Sequence, residues 1–183
     1  MRILGIDPGS AVTGYGVVER RAGRLVHIAH GTLRPPANSP LALRLDHLYR
    51  TIGDVITQHA PDCAAIEEVF VAASPRSALV LGQARGAILA ALAAGGLSVS
   101  EYAPARIKRS VTGNGRATKQ QVKLMVKRLL DLQRPPVADA ADALAAAISH
   151  AHAGRLELLG VRGAGSRRRS RAESVVFSAR RRR

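Results

Sequence analysis

The chain has 183 residues, a net charge of +15 and a single cysteine, Cys63. One cysteine excludes an internal disulfide and a cysteine-based zinc site, which favours a reducing, cytoplasmic setting. The chain has three Tyr, two Phe and no Trp, a composition that disfavours a base-stacking platform. The longest apolar run, Gly86 to Val99, is too short to span a bilayer and no signal-peptide pattern precedes it, so we expect a soluble protein with no membrane role.

The positive charge is divided unevenly along the chain. Residues 154–183 hold ten arginines and two acidic residues, with little apolar content. Because such a composition cannot build a packed core, we expect a folded domain over residues 1–153 and a flexible basic arm over residues 154–183. Both parts are cationic, which indicates a nucleic-acid partner held mainly through its phosphates.

The first part of the chain predicts a three-stranded meander followed by a helix. Strands are expected at Ile3 to Ile6, Gly14 to Glu19 and Leu25 to Leu33, the last two joined by a tight turn at 21–23. The helix is expected to be capped at Ser39-Pro40. Its apolar residues fall at helical spacing: Leu41, Leu45, Leu48, Ile52 and Val55.

The rest of the chain alternates strands and helices. Asp62 to Glu67 and Leu97 to Tyr102 read as strands, on either side of a helix that runs from Ser74-Pro75 to Gly95-Gly96. A capping box, Thr118 with Gln121, opens the next helix. Its predicted inward residues are Val122, Met125, Leu129 and Leu130. After Pro135-Pro136 a last helix is expected to end near His152, which completes an α/β fold with a mixed sheet.

Four carboxylates interrupt apolar or alanine-rich runs: Asp7, Glu67, Asp139 and Asp142. Asp7 and Glu67 end predicted strands, so they reach one sheet edge if those strands are parallel neighbours. The i, i+3 spacing of Asp139 and Asp142 puts both on one helix face. Asp7 alone could set a turn, and Asp139 and Asp142 could suit a helix start, but a strand gains nothing from Glu67. The four together predict a site for a hard divalent metal ion.

These contexts also carry a family resemblance. The segments around the four acids, together with Ser-Ala-Leu-Val-Leu-Gly-Gln-Ala-Arg-Gly at 77–86, resemble the RuvC family of Holliday-junction resolvases in the RNase H-like superfamily, from residue 1 to about 153. The resemblance implies a five-stranded RNase H-like sheet flanked by helices. It also implies an endonuclease that resolves four-way DNA junctions in recombination and repair.

The resemblance implies roles for particular residues. Asp7, Glu67, Asp139 and Asp142 would be the catalytic acids and would hold Mg²⁺ or Mn²⁺, two ions per site. Lys119 resembles the family's active-site lysine. Lys108, Arg109 and Arg116 resemble its junction-binding stretch, and Phe70 resembles an aromatic wedge at the junction centre. An ordinary basic surface and a core phenylalanine remain the alternatives.

The implied partners are a four-way junction, a second copy of the chain and the RuvA–RuvB branch-migration complex. A stripe of small residues, Gly82, Gly86, Ala90 and Ala94, fits a close dimer contact. A helix packed tightly on its own sheet would explain the stripe equally well.

Other functions also stay open at this point. The alternatives are an RNase H-like nuclease with another nucleic-acid substrate and a non-catalytic nucleic-acid-binding module. The 3–10 segment also resembles a phosphate loop of actin-like ATPases, but the chain has room for only one of the two domain copies that those enzymes need.

Overall fold

A computed structural model of the chain describes residues 1–68 and 74–158, with side chains described as far as Ala153. The strands are β1 (Arg2–Asp7), β2 (Thr13–Arg21), β3 (Arg24–Leu33), β4 (Cys63–Glu67) and β5 (Ser98–Tyr102). The helices are α1 (Leu41–His59), α2 (Pro75–Ala94), α3 (Pro104–Thr112), α4 (Lys119–Leu129) and α5 (Ala138–Leu158).

The five strands form one mixed sheet in the order β3-β2-β1-β4-β5. β1, β2 and β3 pair antiparallel, whereas β4 pairs parallel to both β1 and β5. The β2–β3 turn places Ala22 and Gly23 at φ 47° and 80°, the left-handed conformation that a tight hairpin turn requires. The predicted meander followed by parallel strands is confirmed.

Helices cover both faces of the sheet. One core cluster joins buried residues of the sheet to α3, α4 and α5, and a second joins the other face to α1 and α2. The sheet alternates its side chains between these clusters, as a strand buried on both sides must. α5 is the central helix of its face, and Ala140, Ala141 and residues 143–149 of it are buried.

Three glycines let α5 lie directly on the sheet. A Cβ at Gly5 would collide with the carbonyl oxygen of Ala143, and a Cβ at Gly14 would collide with that of Asp139. A Cβ at Gly16 would press on a leucine side chain of the same helix. Because only hydrogen occupies these positions, the helix backbone approaches β1 and β2 more closely than any side chain would allow.

Helix α3 was missing from the predicted elements. It begins with Pro104 at its first turn and buries only Ile107 and Val111, so its apolar pattern is too short to stand out in the sequence. The expected cap of α1 at Ser39 is wrong, because Pro40 is the N-cap residue and makes no side-chain cap bond. The predicted Thr118–Gln121 capping box of α4 is confirmed.

Two helix ends also differ from prediction. Leu129, predicted to face inward, is 37% exposed, and Val126 is buried in the core instead. Leu129 is the last residue of α4, a helix that packs on α3 and α5. α5 continues to Leu158, beyond the expected end near His152, and the domain boundary at 153/154 stays a prediction. Residues 159–183 lie outside the described residues.

Helix α2 is more exposed than a core helix. By length and composition alone it could cross a membrane, contrary to what the 86–99 run indicated, although a helix of a soluble core passes the same test. It packs on α1 and β5 through Ala84, Ile88, Ala91 and Leu92. Gly82 and Gly86 face open space within the described residues, so the small-residue stripe does not pack on the sheet.

Candidate active site

The four acids come from three elements that converge at one edge of the sheet. Asp7 ends β1 and Glu67 ends β4, and these strands are parallel neighbours, as the sequence predicted. Asp139 and Asp142 lie near the start of α5, which the bare backbone of Gly14 admits beside Asp7. Since Gly14 pairs with Asp7 across β1 and β2, the start of the helix is fixed at the end of β1.

A cavity of about 180 Å³, which we call the acid cavity, lies at this edge. Three of the acids line it, namely Asp7, Glu67 and Asp142, together with Lys108 and Lys119. Its remaining wall is formed by Pro104, Ile107 and Val122. Asp139 does not line this cavity, but its negative charge acts on Asp7 and Asp142.

Burial and mutual repulsion make these carboxyls hard to ionise. Burial, followed by the charge of Asp142, raises the pKa of Asp7 from 3.8 to about 7. Burial is also the main cause that raises the pKa of Glu67, and Asp142 adds to it. The pKa of Asp142 is raised by burial although Lys119 opposes the shift. The cluster therefore carries more negative charge than its protein surroundings balance.

Lys119 supplies part of the missing positive charge. Its Nζ lies 3.4 Å from Oδ2 of Asp142, and the charge of Asp142, more than those of Asp7 and Glu67, raises the pKa of this lysine. The side chain remains 81% exposed, so its ammonium group can still meet a ligand from solvent. Lys119 is the first residue of α4, where the helix dipole disfavours a cation. Its position follows from the acids and not from helix stability.

The donor set fits a hard divalent cation. All of the candidate ligands are carboxylate oxygens, and a bound cation would relieve the repulsion that raises their pKa values. Within residues 1–68 and 74–158, no three Asp, Glu, His or Cys side chains already stand at the spacing of a metal-ion site. The carboxylates would have to draw together around an ion.

The predicted basic residues fall in different places. Lys108 lines the acid cavity from α3, and its charge opposes the rise that burial causes in the pKa values of Glu67 and Asp142. Arg109 and Arg116 are exposed beside the 113–117 loop and do not line the cavity. Sequence reasoning grouped Lys108 with those two, because α3 went unrecognised. The signal was present in the four-residue spacing of Ile107 and Val111 behind Pro104.

Phe70, the predicted aromatic wedge, lies outside the described residues. It follows Glu67 by three residues, in the segment that joins β4 to α2.

Comparison with known proteins identifies the family. The model of the family described as crossover junction endodeoxyribonuclease RuvC matches residues 3–150. The chain belongs to the RuvC family. A relative of that name from Hyphomonas neptunium is 56% identical over 152 residues, which cover 83% of this chain and 91% of the relative.

Solved structures agree with this assignment. Thermus thermophilus RuvC in complex with a Holliday junction substrate is 32% identical, with a TM-score of 0.80 over 88% of this chain and 97% of the other. The yeast mitochondrial Holliday junction resolvase Ydc2 is 14% identical with a TM-score of 0.61, over 80% of this chain and 76% of the other, which shows a shared fold. The RNase H-like architecture predicted from the sequence is confirmed.

Proposed function

We infer that the protein is an endodeoxyribonuclease that resolves four-way DNA junctions. The observation that carries this conclusion is the convergence of three family acids, Asp7, Glu67 and Asp142, with Lys119 around one cavity in a chain of the RuvC family. The net charge of +15 supports a polyanionic substrate. An ATPase is not supported, because the chain contains a single five-stranded sheet within the described residues.

We propose that Asp7, Glu67, Asp139 and Asp142 hold two Mg²⁺ or Mn²⁺ ions. Such a pair, when bound, supplies activation of the attacking water and stabilisation of the leaving 3′-oxygen of a phosphodiester. The four carboxylates would hold these ions at the edge of the sheet where β1, β4 and α5 meet. Asp7 and Glu67 are half-buried, so bulk water has only partial access to their carboxylates.

The two lysines of the cavity have separate tasks in this proposal. Lys119, exposed and beside Asp142, contacts the scissile phosphate and offsets the negative charge that develops on it. Lys108, which also lines the cavity, favours the ionised forms of Glu67 and Asp142, because its charge opposes the rise that burial causes in their pKa values. Arg109 and Arg116 are proposed to contact the junction outside the cavity, and Phe70 is proposed to be a further junction contact.

We further propose that the active form is a homodimer. A four-way junction has near two-fold symmetry and needs two paired nicks, which a C2 dimer delivers with two copies of one site. The exposed face of α2 supports this, because Leu79 is 64% exposed and Gly82 and Gly86 leave open space beside it. An apolar face of this kind favours burial against a second helix.

The remaining partners rest on family membership. We propose that the enzyme works in the cytoplasm, where the DNA of a bacterial cell lies, and that it cooperates with the RuvA–RuvB branch-migration complex. An alternative substrate within the RNase H-like fold, such as an RNA–DNA hybrid, is an outcome that the first experiment below would detect.

A cleavage assay tests the proposed activity. The full chain is incubated with a four-way junction, a linear duplex, an RNA–DNA hybrid and a single strand, in Mg²⁺ or in Mn²⁺. We expect paired nicks in the junction alone, and preferred cleavage of the hybrid would contradict the assignment. Asp7→Asn should abolish cleavage and retain junction binding measured in Ca²⁺. Asp54→Asn, an exposed acid on α1, serves as the matched control and should cleave normally.

Sedimentation tests the dimer. Gly86→Arg places a large cation on the exposed face of α2, where nothing within the described residues obstructs it. Each protomer should therefore fold normally, and the dimer should dissociate into monomers. Gln120→Arg on the exposed side of α4 controls for added charge. A Gly86→Arg variant that stays dimeric would assign the interface elsewhere.

A further inference from the structure

The loop that follows Asp7 is held from inside by one threonine. In this segment, residues 8–12 (the 8–12 loop), the backbone N–H of Gly9 donates to Oγ1 of Thr13, and that hydroxyl donates back to the Gly9 carbonyl oxygen. Thr13 is completely buried. A Cβ at Gly9 would collide with the carbonyl oxygen of Val12, so the loop is a closed, tight turn.

A second residue holds the same loop from outside. The guanidinium of Arg44, on the first turns of α1, donates a hydrogen bond from Nη2 to the carbonyl oxygen of Ser10. Its Nε is buried and has no hydrogen-bond partner within the described residues. None of the ion pairs found there involves Arg44.

This arrangement is costly for the fold. Burying part of a guanidinium without a carboxylate partner costs free energy, and one hydrogen bond to a neutral carbonyl offsets only part of it. The other arginine of α1 with a described side-chain contact is a useful contrast. Arg50 is 75% exposed and pairs with Asp46 at 3.0 Å, an ordinary surface arrangement. Arg44 therefore has a task other than surface charge.

That task concerns the position of Asp7. The pairing of β1 with β4 ends at Ile6 and Ile66, so beyond this point the sheet holds Asp7 only through its pairing with Gly14 of β2. The backbone of Asp7 then depends on the 8–12 loop, and the tip of that loop, Ala11, is exposed. A hydrogen bond at Ser10 fixes the loop at the point where Thr13 does not reach it.

Arg44 does not act on Asp7 through its charge. Lys119 is the cation whose field lowers the pKa of Asp7, and Arg44 is not among the groups that shift it. Arg44 can influence the carboxylate only through the backbone of the loop. We propose that Arg44 is a positioning residue for the cleavage reaction, which ties the 8–12 loop to α1 and thereby holds Asp7 in register with the other acids.

Hydrogen exchange tests this placement without reference to activity. In Arg44→Met, amides of the 8–12 loop should exchange at least about tenfold faster, whereas the segment of β4 around Glu67 should be unchanged. Arg50→Met, on the same helix, is the matched control and should leave the loop unaffected. Equal exchange of the loop in Arg44→Met and in the unmodified chain would overturn the proposal. So would a similar change in Arg50→Met.

Kinetics supply the second readout, which rests on the proposed function. Arg44→Met should lower kcat for the junction by about 10- to 100-fold, because small displacements of a catalytic group cost rates of that order. The Mg²⁺ concentration at half-maximal rate should rise several-fold while the Kd for the junction in Ca²⁺ stays within about twofold. Weaker junction binding at an unchanged Mg²⁺ requirement would show that Arg44 is a DNA contact, which overturns positioning.

Arg44→Lys guards against a folding defect. It keeps the charge and one donor, so it should fold and recover part of both the exchange protection and the rate. If Arg44→Met unfolds, Arg44→Lys is the variant that tests the proposal. The proposal would be overturned if Arg44→Lys cleaves more slowly than the unmodified chain while amides of its 8–12 loop exchange at the unmodified rate. If the unmodified chain cleaves no junction, the proposed function fails, but the exchange result still decides the placement of Arg44.

Discussion

The carbonyl oxygen of Asp139 packs directly against the Cα of Gly14, and a Cβ at Gly14 would overlap that oxygen. Gly14 is also the cross-strand partner of Asp7. One glycine therefore sets the distance between the first and the third segment of the acid cluster. The contact depends on the backbone and not on any side chain that could adapt.

Adding one methyl group at this position should damage both stability and cleavage. We expect Gly14→Ala to destabilise the fold by about 2 kcal/mol or more, since backbone cannot retreat as a side chain does. Junction cleavage should fall further than stability explains, because α5 shifts with its two acids. Thermal denaturation and single-turnover cleavage at a temperature where both proteins are folded would measure this.

Gly53→Ala on α1 is the matched control. A Cβ at Gly53 would have no atom of the described residues within 4 Å, so the same substitution should be neutral or should stabilise the helix by up to about 1 kcal/mol. If Gly14→Ala cleaved junctions at the normal rate, the start of α5 could move without any loss of activity, which would contradict this prediction.

The raised pKa of Asp7 predicts a pH-dependent stability of the metal-free protein. The folded-state pKa, about 7, exceeds the ordinary 3.8, so the folded state loses stability as pH rises from about 4 to about 7. Asp7→Asn removes that loss. Denaturation in EDTA should find the variant more stable by about 2–4 kcal/mol at pH 8, and nearly equal to the unmodified chain at pH 4.

Metal binding gives the same experiment a second arm. Adding Mg²⁺ at pH 8 should raise the Tm of the unmodified chain by mass action, and should raise it much less in Asp7→Asn. Asp54→Asn should respond to Mg²⁺ like the unmodified chain. A variant that is less stable than the unmodified chain at pH 8 would indicate a structural role for Asp7.

Lys119 is expected to matter for rate more than for binding. Lys119→Ala should lower the cleavage rate by about 10²–10³, the scale for one positioned electrostatic group, with a smaller loss of junction affinity. The lysine end of its ion pair with Asp142 is 81% exposed, so Tm should change little. Lys127→Ala, two turns further along α4, removes the same charge and should cleave almost normally. If both variants lost the same factor in cleavage rate, Lys119 would contribute only to the overall positive charge and would have no specific role at the phosphate.

The basic arm is expected to contribute affinity without selectivity. A chain ending at Leu158 keeps the whole of α5 and loses most of the arginine-rich segment. It should bind linear duplex more weakly and with a shallower salt dependence, because fewer phosphates are neutralised. Junction cleavage at low salt should persist. Titrations at several salt concentrations measure the slope, and an inactive or unfolded truncation would make residues 159–183 part of the fold.

Periodicity and caps were sufficient to predict most of the fold. The alternation in β1 to β3, the Ser74-Pro75 start of α2 and the Thr118–Gln121 box each reflect a local rule that the tertiary structure keeps. Placing Asp7 and Glu67 at one edge needed only the assumption of parallel neighbours, which the sheet satisfies.

The features that escaped prediction depend on contacts between distant segments. α3 is held by two buried residues and by its neighbours, so its own pattern is weak. The entry of Lys108 into the acid cavity follows from the docking of that helix. Arg44 and Ser10 are 34 residues apart, and nothing in either local sequence indicates that they meet.

The place of α5 in the chain bears on when the enzyme becomes active. The helix that carries Asp139 and Asp142 is the last described element, and it docks on the first two strands. During synthesis the meander can form early. The acid cluster is completed only after α5 has left the ribosome and has packed on the glycines of β1 and β2. An incompletely synthesised chain is therefore expected to have no nuclease activity, which protects DNA from cleavage before the enzyme is complete.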